Sequence, residues 1–220
     1  MPHFVEGKDS IYNGFMVMEW QVNDAKRLAV IDSEIDNHLF APAEYEIVLQ
    51  VIFATAYFKY KSLSRFSETA LQAGAAALSA RTPIIVDMPM VKACIDDRTQ
   101  DTFVNPVYCR QCAYDGLNTK VTSSILGMEN LAKGYPEGVF VIGQSETALT
   151  TLVNLLEADE VKPALIIAVP PRFLVENNGK ERLRNCLAPH ITIDGYKGNA
   201  VVACAIFNGF LDLVWQAYGS

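Results

Sequence analysis

Residues 138–173 read GVFVIGQSETALTTLVNLLEADEVKPALIIAVPPRF, and this stretch decides the fold. Val139 to Ile142 is a short apolar run that ends at Gly143. From Ser145 to Leu156 the period changes to helical, with Leu149, Leu152, Val153 and Leu156 on one face. Pro163 closes that segment, and Ala164 to Val169 is a second branched, apolar run. Strand, helix, strand is the simplest reading, and such a unit is a right-handed crossover between parallel strands. Both strands then end on one edge of the sheet. Gly143–Gln144–Ser145 and Pro170–Pro171–Arg172 emerge there side by side, where open α/β sheets bind ligands. Ser145 stands where a helix N-cap stands, with backbone N–H groups behind it.

Outward from this unit, the chain alternates in the same way. Residues 1–18 form an N-terminal extension, broken by Gly7, Asn13 and Gly14, and 19–220 form one domain. Asn23 caps a helix to about Ile35. A second helix starts near Pro42, with Glu44 and Glu46 at its positive end. A third, rich in alanine, covers Ser67 to Ala80. Thr82 to Asp87 is a strand, Asn105 to Cys109 a weaker one, and Val121 to Lys133 a helix. After the central unit come a short helix at Lys180 to Cys186, a strand at Ile191 to Ile193 and a closing helix from Asn199 to about Gln216. The expected fold is α/β: a single doubly wound, mostly parallel sheet with helices on both faces.

Composition narrows the function. Of the 220 residues, 50% are hydrophobic and 20% charged, so the chain can bury a full core. The net charge of −7 argues against nucleic acid as a partner, which would need a basic stripe. No apolar run long enough to span a bilayer and no signal peptide is read, so no membrane partner is expected. The odd set of five cysteines fits reduced thiols in the cytoplasm.

Candidate chemistry is sparse. Cys109-x-x-Cys112 is one pair without a second, so it makes no zinc site, and ordinary half-buried thiols outweigh a redox pair. His3, His38 and His190 do not assemble with a nucleophile, and Gly143-x-Ser145 lacks the rest of a nucleophile elbow. No dinucleotide fingerprint is present. Asp87, at the carboxyl end of its strand, is either a ligand contact or a cap for nearby backbone. Lys197 and Gly198 follow the Asp194–Gly195 turn and, with Gly143 and Ser145, could hold an anion or form a plain loop.

Several segments in order resemble the precorrin-8X methylmutase family of cobalamin biosynthesis, from about Trp20 to about Leu213. They are Ile52–Phe53–Ala54–Thr55–Ala56, Ile85–Val86–Asp87–Met88–Pro89–Met90–Val91, Val141 to Leu149, Lys162–Pro163–Ala164, Pro170–Pro171–Arg172–Phe173, Lys180–Glu181 and Gly195–Tyr196–Lys197–Gly198. Glu44–Tyr45–Glu46, Tyr60–Lys61–Ser62–Leu63 and Trp215–Gln216–Ala217–Tyr218 resemble the cyanobacterial branch. The resemblance implies a homodimeric isomerase without metal or other cofactor. Such an enzyme moves a methyl group from C-11 to C-12 within a polycarboxylate corrinoid, and that small molecule is the expected partner. It also implies substrate-binding roles for Thr55, Asp87, Met90, Lys120, Gly143, Gln144, Ser145, Thr147, Arg172, Lys180, Tyr196, Lys197 and Gly198.

The family's catalytic position, a histidine in the second helix, is Phe53 here, and a phenyl ring neither donates nor accepts a proton. Other positions depart as well. The family's arginine after threonine matches Lys120, its Gly-Asn-Ala-Pro-Thr reads Gly143 to Thr147 with Glu146 added, and a glycine has become Arg172. Asn178–Gly179–Lys180 replaces Glu-Ser-Lys, and Tyr196 replaces an arginine. Two readings follow from the substitution at 53. One is a working methylmutase in which positioning supplies much of the rate and Tyr57, Tyr60 or a water replaces the imidazole. The other is a paralogue that kept a tetrapyrrole pocket and acts as a carrier or regulator, with Phe53 as a stacking surface.

Overall fold

The computed structural model describes residues 22–35, 38–110, 120–173 and 178–219. The extension at 1–18 therefore lies outside the described residues, as do His3 and Cys112. The described residues form one six-stranded sheet, β1 (Ser64–Phe66), β2 (Ile84–Val86), β3 (Val107–Cys109), β4 (Val139–Ile142), β5 (Leu165–Ala168) and β6 (His190–Ile193). Their spatial order is β1-β6-β5-β4-β2-β3. Every pairing is parallel except that of β1 with β6.

The β4–β5 pair, joined through helix Glu146–Glu157, is the crossover expected from residues 138–173. Each strand alternates between two apolar clusters. Val139 and Val141 of β4 point to one side, with Leu165 and Ile167 of β5. Phe140, Ile142, Ile166 and Ala168 point to the other. Strands buried on both faces read as unbroken apolar runs rather than alternating ones, which is why they stand out in the sequence.

Nine helices are described: α1 (Val22–Glu34), α2 (Pro42–Thr55), α3 (Tyr60–Leu63), α4 (Ala70–Ser79), α5 (Pro89–Gln100), α6 (Lys120–Gly134), α7 (Glu146–Glu157), α8 (Gly179–Arg184) and α9 (Ala200–Tyr218). Helices α2, α4, α5 and α9 cover one face of the sheet, and α6, α7 and α8 the other. Right-handed crossovers account for this division. From β2 the chain moves outward to β3 through α5. From β4 it moves the opposite way to β5 and β6 through α7 and α8. The two directions part between β2 and β4, which makes the carboxyl ends of those strands the switch point of the sheet.

Pro42 opens α2, and the Glu44 carboxylate accepts the Ala41 N–H at 3.0 Å. Ala56, at φ 52°, closes α2 by donating its N–H to the Ile52 carbonyl at 2.7 Å.

Three local expectations need correction. Helix α5 is absent from the sequence reading because only Val91, Ile95 and Thr99 of it are buried, and Thr99 is polar. Its remaining signal was Pro89 at the first turn. Helix α4 starts at Ala70 rather than Ser67, because Ser67 still belongs to the sheet edge. Its N–H donates to the His190 carbonyl and its hydroxyl accepts the His190 N–H. The third correction concerns α9, which is long and apolar enough to cross a membrane. In the fold it is a core helix packed on α2, α4, α5, β4 and β5.

Candidate functional site

Asp87 follows β2 directly and is fully buried. Its carboxylate accepts the N–H groups of Gly143 (3.1 Å), Gln144 (2.8 Å) and Ser145 (2.7 Å). Of the two roles open from sequence, the structure places it as the acid that ties the end of β4 to the end of β2. Ser145 caps α7, its hydroxyl accepting the Ala148 N–H at 3.1 Å. The three loop N–H groups expected to face an anionic ligand therefore face Asp87. Arg110, buried beyond β3, donates Nε–H to the Asp87 carbonyl at 3.1 Å. Burial lowers its guanidinium pKa, and the Asp87 charge opposes that shift. Sequence reasoning missed Arg110 because nothing local distinguishes it from a surface arginine. Gly143 belongs to this knot for a packing reason. A Cβ there would lie 2.9 Å from the Ala200 Cα and 3.0 Å from Val91.

A second knot forms where β6 ends. Lys180 is 5% exposed, and its ammonium donates to the carbonyls of Ile193 (3.0 Å) and Gly195 (2.6 Å). The expected ligand cation is thus a clamp on the β6–α9 loop. Burial, followed by the nearby Arg172 and Arg184 charges, pushes its pKa down to about 8. The unfolded chain then binds the extra proton between about pH 8 and the ordinary lysine value near 10. Stability should rise with pH through that window. Lys180→Met is expected to abolish that rise and to cost about 1–3 kcal/mol through the two carbonyls left without a donor. Melting temperatures of both proteins from neutral to alkaline pH check both effects.

The β6–α9 loop itself is shaped by Gly198, whose absent Cβ would meet the Val169 carbonyl oxygen at 1.9 Å. Asn199 then caps α9 by accepting the Val202 N–H at 3.0 Å. Tyr60 donates its hydroxyl to the Lys197 carbonyl at 2.6 Å. The Lys197 ammonium stands 5.2 Å from the ring centroids of both Tyr57 and Tyr196. Lys197 is exposed, and Tyr196 is 57% exposed. Arg172 pairs with Glu181 at 2.7 Å beside this loop.

Phe53 lies elsewhere along α2. It is half-buried and lines a groove of about 550 Å³ between α1 and α2, together with Val30, Ile31, Ile52 and Phe58. The side chains of Lys26 and Arg27 line the same groove. The volume lies within the range of small-molecule pockets. Nothing in the sequence distinguishes either cation, since α1 offers only its apolar stripe there.

The other expected contacts are dispersed. Thr55 donates its hydroxyl to the Val51 carbonyl at 2.6 Å. Met90 is 54% exposed on the first turn of α5, and Gln144 and Thr147 are exposed where α7 begins. Lys120 opens α6, and its side chain is outside the described residues. Among the thiols, Cys94, Cys186 and Cys204 are free. His190 is a buried structural histidine, with Nδ1 2.8 Å from the Ala188 carbonyl.

A family profile described as precorrin-8X methylmutase matches residues 24–213. The chain belongs to the precorrin-8X methylmutase family. The match runs from α1, which walls the Phe53 groove, to the body of α9, so groove and sheet edge both fall within it. A protein named cobalt-precorrin-8 methylmutase from Synechocystis sp. is 34% identical over 86% of this chain and 93% of its own length. One of the same name from Methanocaldococcus jannaschii is 34% identical over 78% of this chain and 80% of its own. Among solved structures, precorrin-8X methylmutase from Thermus thermophilus superposes with a TM-score of 0.78 at 26% identity, covering 90% of this chain and 98% of that one. The methylmutase fold is therefore present along most of the chain.

Proposed function

We propose that this protein is an intramolecular methylmutase of cobalamin biosynthesis, moving a methyl group from C-11 to C-12 of precorrin-8X or cobalt-precorrin-8. The observation that carries this reading is the groove at Phe53, an apolar slot with Lys26 and Arg27 in its lining. A flat conjugated ring bearing carboxylates matches that pairing of surfaces. Phe53 supplies a ring face for the macrocycle, and the two cations attract its acid side chains. The reaction is an isomerisation and exchanges no electrons with a second molecule, so its chemistry calls for no redox cofactor. Cobalt, where present, arrives with the substrate.

Most of the rate is assigned to positioning. Holding a migrating group and its acceptor carbon in near-attack geometry can remove about 7–11 kcal/mol of barrier. The sheet-edge knots serve this by fixing the loops after β4 and β6. Those strand ends are separated by β5 alone and stand about 10 Å apart. We further propose a cytoplasmic homodimer, to be checked by sedimentation across protein concentrations. The carrier or regulator reading gains nothing specific from the geometry.

The deciding experiment mixes the protein with precorrin-8X, or its cobalt form, and follows the absorption spectrum. Conversion to the methyl-shifted product at catalytic protein levels is the expected result. A saturable spectral shift without turnover would replace the isomerase with a binding protein on the same fold.

A further inference from the structure

Helices α5 and α9 each carry one cysteine, Cys94 and Cys204, on the sides where they pack together. Two contacts fix the register of the helices. The Asn208 Nδ2 donates to the Cys94 carbonyl at 3.3 Å. Four residues further along each helix, Arg98 pairs with Asp212. The helices therefore run in the same direction, turn beside turn. In an α-helix the Cα–Cβ bond tilts toward the N-terminus. The Cys94 side chain thus leans back from Asn208 toward the preceding turn of α9, and four residues before Asn208 stands Cys204.

The environments of the two thiols differ. Cys94 is exposed and Cys204 is 4% exposed, and both are free. The Cys204 pKa is raised, by burial first, then by its hydrogen bond with Cys94 and the neighbouring Cys94 and Asp87 charges. Cys204 therefore keeps its proton, while Cys94 is the member of the pair that a solute can reach. Val91 and Ala200, near the starts of the same helices, enclose Gly143, where an added Cβ would lie 3.0 Å and 2.9 Å from them. A bond between α5 and α9 would hold that notch beside the Asp87 knot.

We propose that Cys94 and Cys204 are a modification site: hydrogen peroxide converts them reversibly to a disulfide that staples α5 to α9. The Cys94 sulfur attacks one peroxide oxygen. An S–O bond forms as the O–O bond breaks, leaving a sulfenic acid at Cys94 and one water. The Cys204 sulfur then attacks the Cys94 sulfur. The S–S bond forms as the S–O bond breaks, and the Cys204 proton leaves with the hydroxyl as a second water. The peroxide gains the two electrons that the thiol pair loses. Exchange with a small dithiol reverses the bond. The staple closes a long stretch of chain, between residues 94 and 204, which restricts the unfolded state. It rests on helix packing alone and is independent of the methylmutase reading.

The test treats the full chain with a small excess of hydrogen peroxide, blocks remaining thiols and maps the peptides by mass spectrometry. The expected product is a peptide pair joined through Cys94 and Cys204, lighter by two hydrogens and separated by dithiothreitol. The melting temperature of the oxidised protein should rise by about 5 °C or more and return on reduction. Cys94→Ser, at an exposed position, should show neither the link nor the rise. Should that variant fail to fold, Cys204→Ala gives the same comparison. A sulfenic or sulfinic acid at Cys94 with Cys204 still a thiol overturns the pair. So does a Cys94 disulfide between two molecules, or full retention of both thiols. A link that leaves the melting temperature unchanged overturns the staple, as does an equal rise in Cys94→Ser.

Discussion

Asp87→Ala is expected to lower the stability of this protein by about 3–5 kcal/mol, the range found when one partner of a buried charged group is removed. Three N–H groups, those of Gly143, Gln144 and Ser145, converge on its two oxygens. Hydrogen bonds to a charged group are each worth about 1.5–3 kcal/mol, and they do not add fully because the freed loop can turn toward water. The position of α7 adds to the effect, since its N-terminal turn favours a negative charge. Asp87→Asn should recover part of the loss. An amide keeps one acceptor oxygen but points N–H groups at donors. Urea unfolding followed by circular dichroism measures both variants. A ligand-contacting aspartate would behave in the opposite way, with an unchanged unfolding midpoint and weakened corrinoid binding.

The second large effect is expected at Gly198. A Cβ at that position would lie 1.9 Å from the Val169 carbonyl oxygen and 2.7 Å from its carbon. Both are backbone atoms at the end of β5, so no rotamer change relieves the clash. Either β5 or the β6–α9 loop must move. Gly198→Ala should cost about 3 kcal/mol, the upper end for overpacking, and should displace Lys197 from the Tyr57 ring. Gly195 is the control. It has φ +68° with open space around its missing Cβ, so Gly195→Ala carries only the left-handed penalty of about 1 kcal/mol. Denaturation of the two variants side by side gives the comparison. Equal losses would mean that backbone conformation, and not contact with Val169, selects glycine at 198.

Both effects arise from contacts distant in sequence, and this explains how the site read from the chain alone. Asp87 stands out in the sequence by its position at the end of an apolar run, and in the fold it directly follows β2. Its partners are 56 to 58 residues away, and no local pattern states whether a strand-end carboxylate faces a ligand or a neighbouring loop. Lys180 shows the same ambiguity, because its partners Ile193 and Gly195 offer only main-chain carbonyls, which every residue has. Arg110 and the pair Lys26 and Arg27 carried no signal, since a charged residue on a helix or after a strand is usually solvated. Phe53 is marked in the sequence only by the family resemblance. Its presence in a groove lined by α1 became visible only when α1 and α2 were packed together.

The amino-acid sequence by itself determined the repeating strand and helix units, the parallel β4–β5 crossover, the cap at Ser145 and membership of the methylmutase family. Those features are written in local periodicity, in proline and glycine punctuation and in ordered short motifs, each confined to neighbouring residues. The tertiary structure decided which strands adjoin at the switch point and that α9 lies in the core. It also decided that Asp87 and Lys180 brace loops, and that the Tyr60 hydroxyl is bonded to the Lys197 carbonyl. Those outcomes depend on which polar groups meet when distant segments close on one another. A hydrogen bond satisfied in the fold leaves no trace in the spacing of the residues that make it.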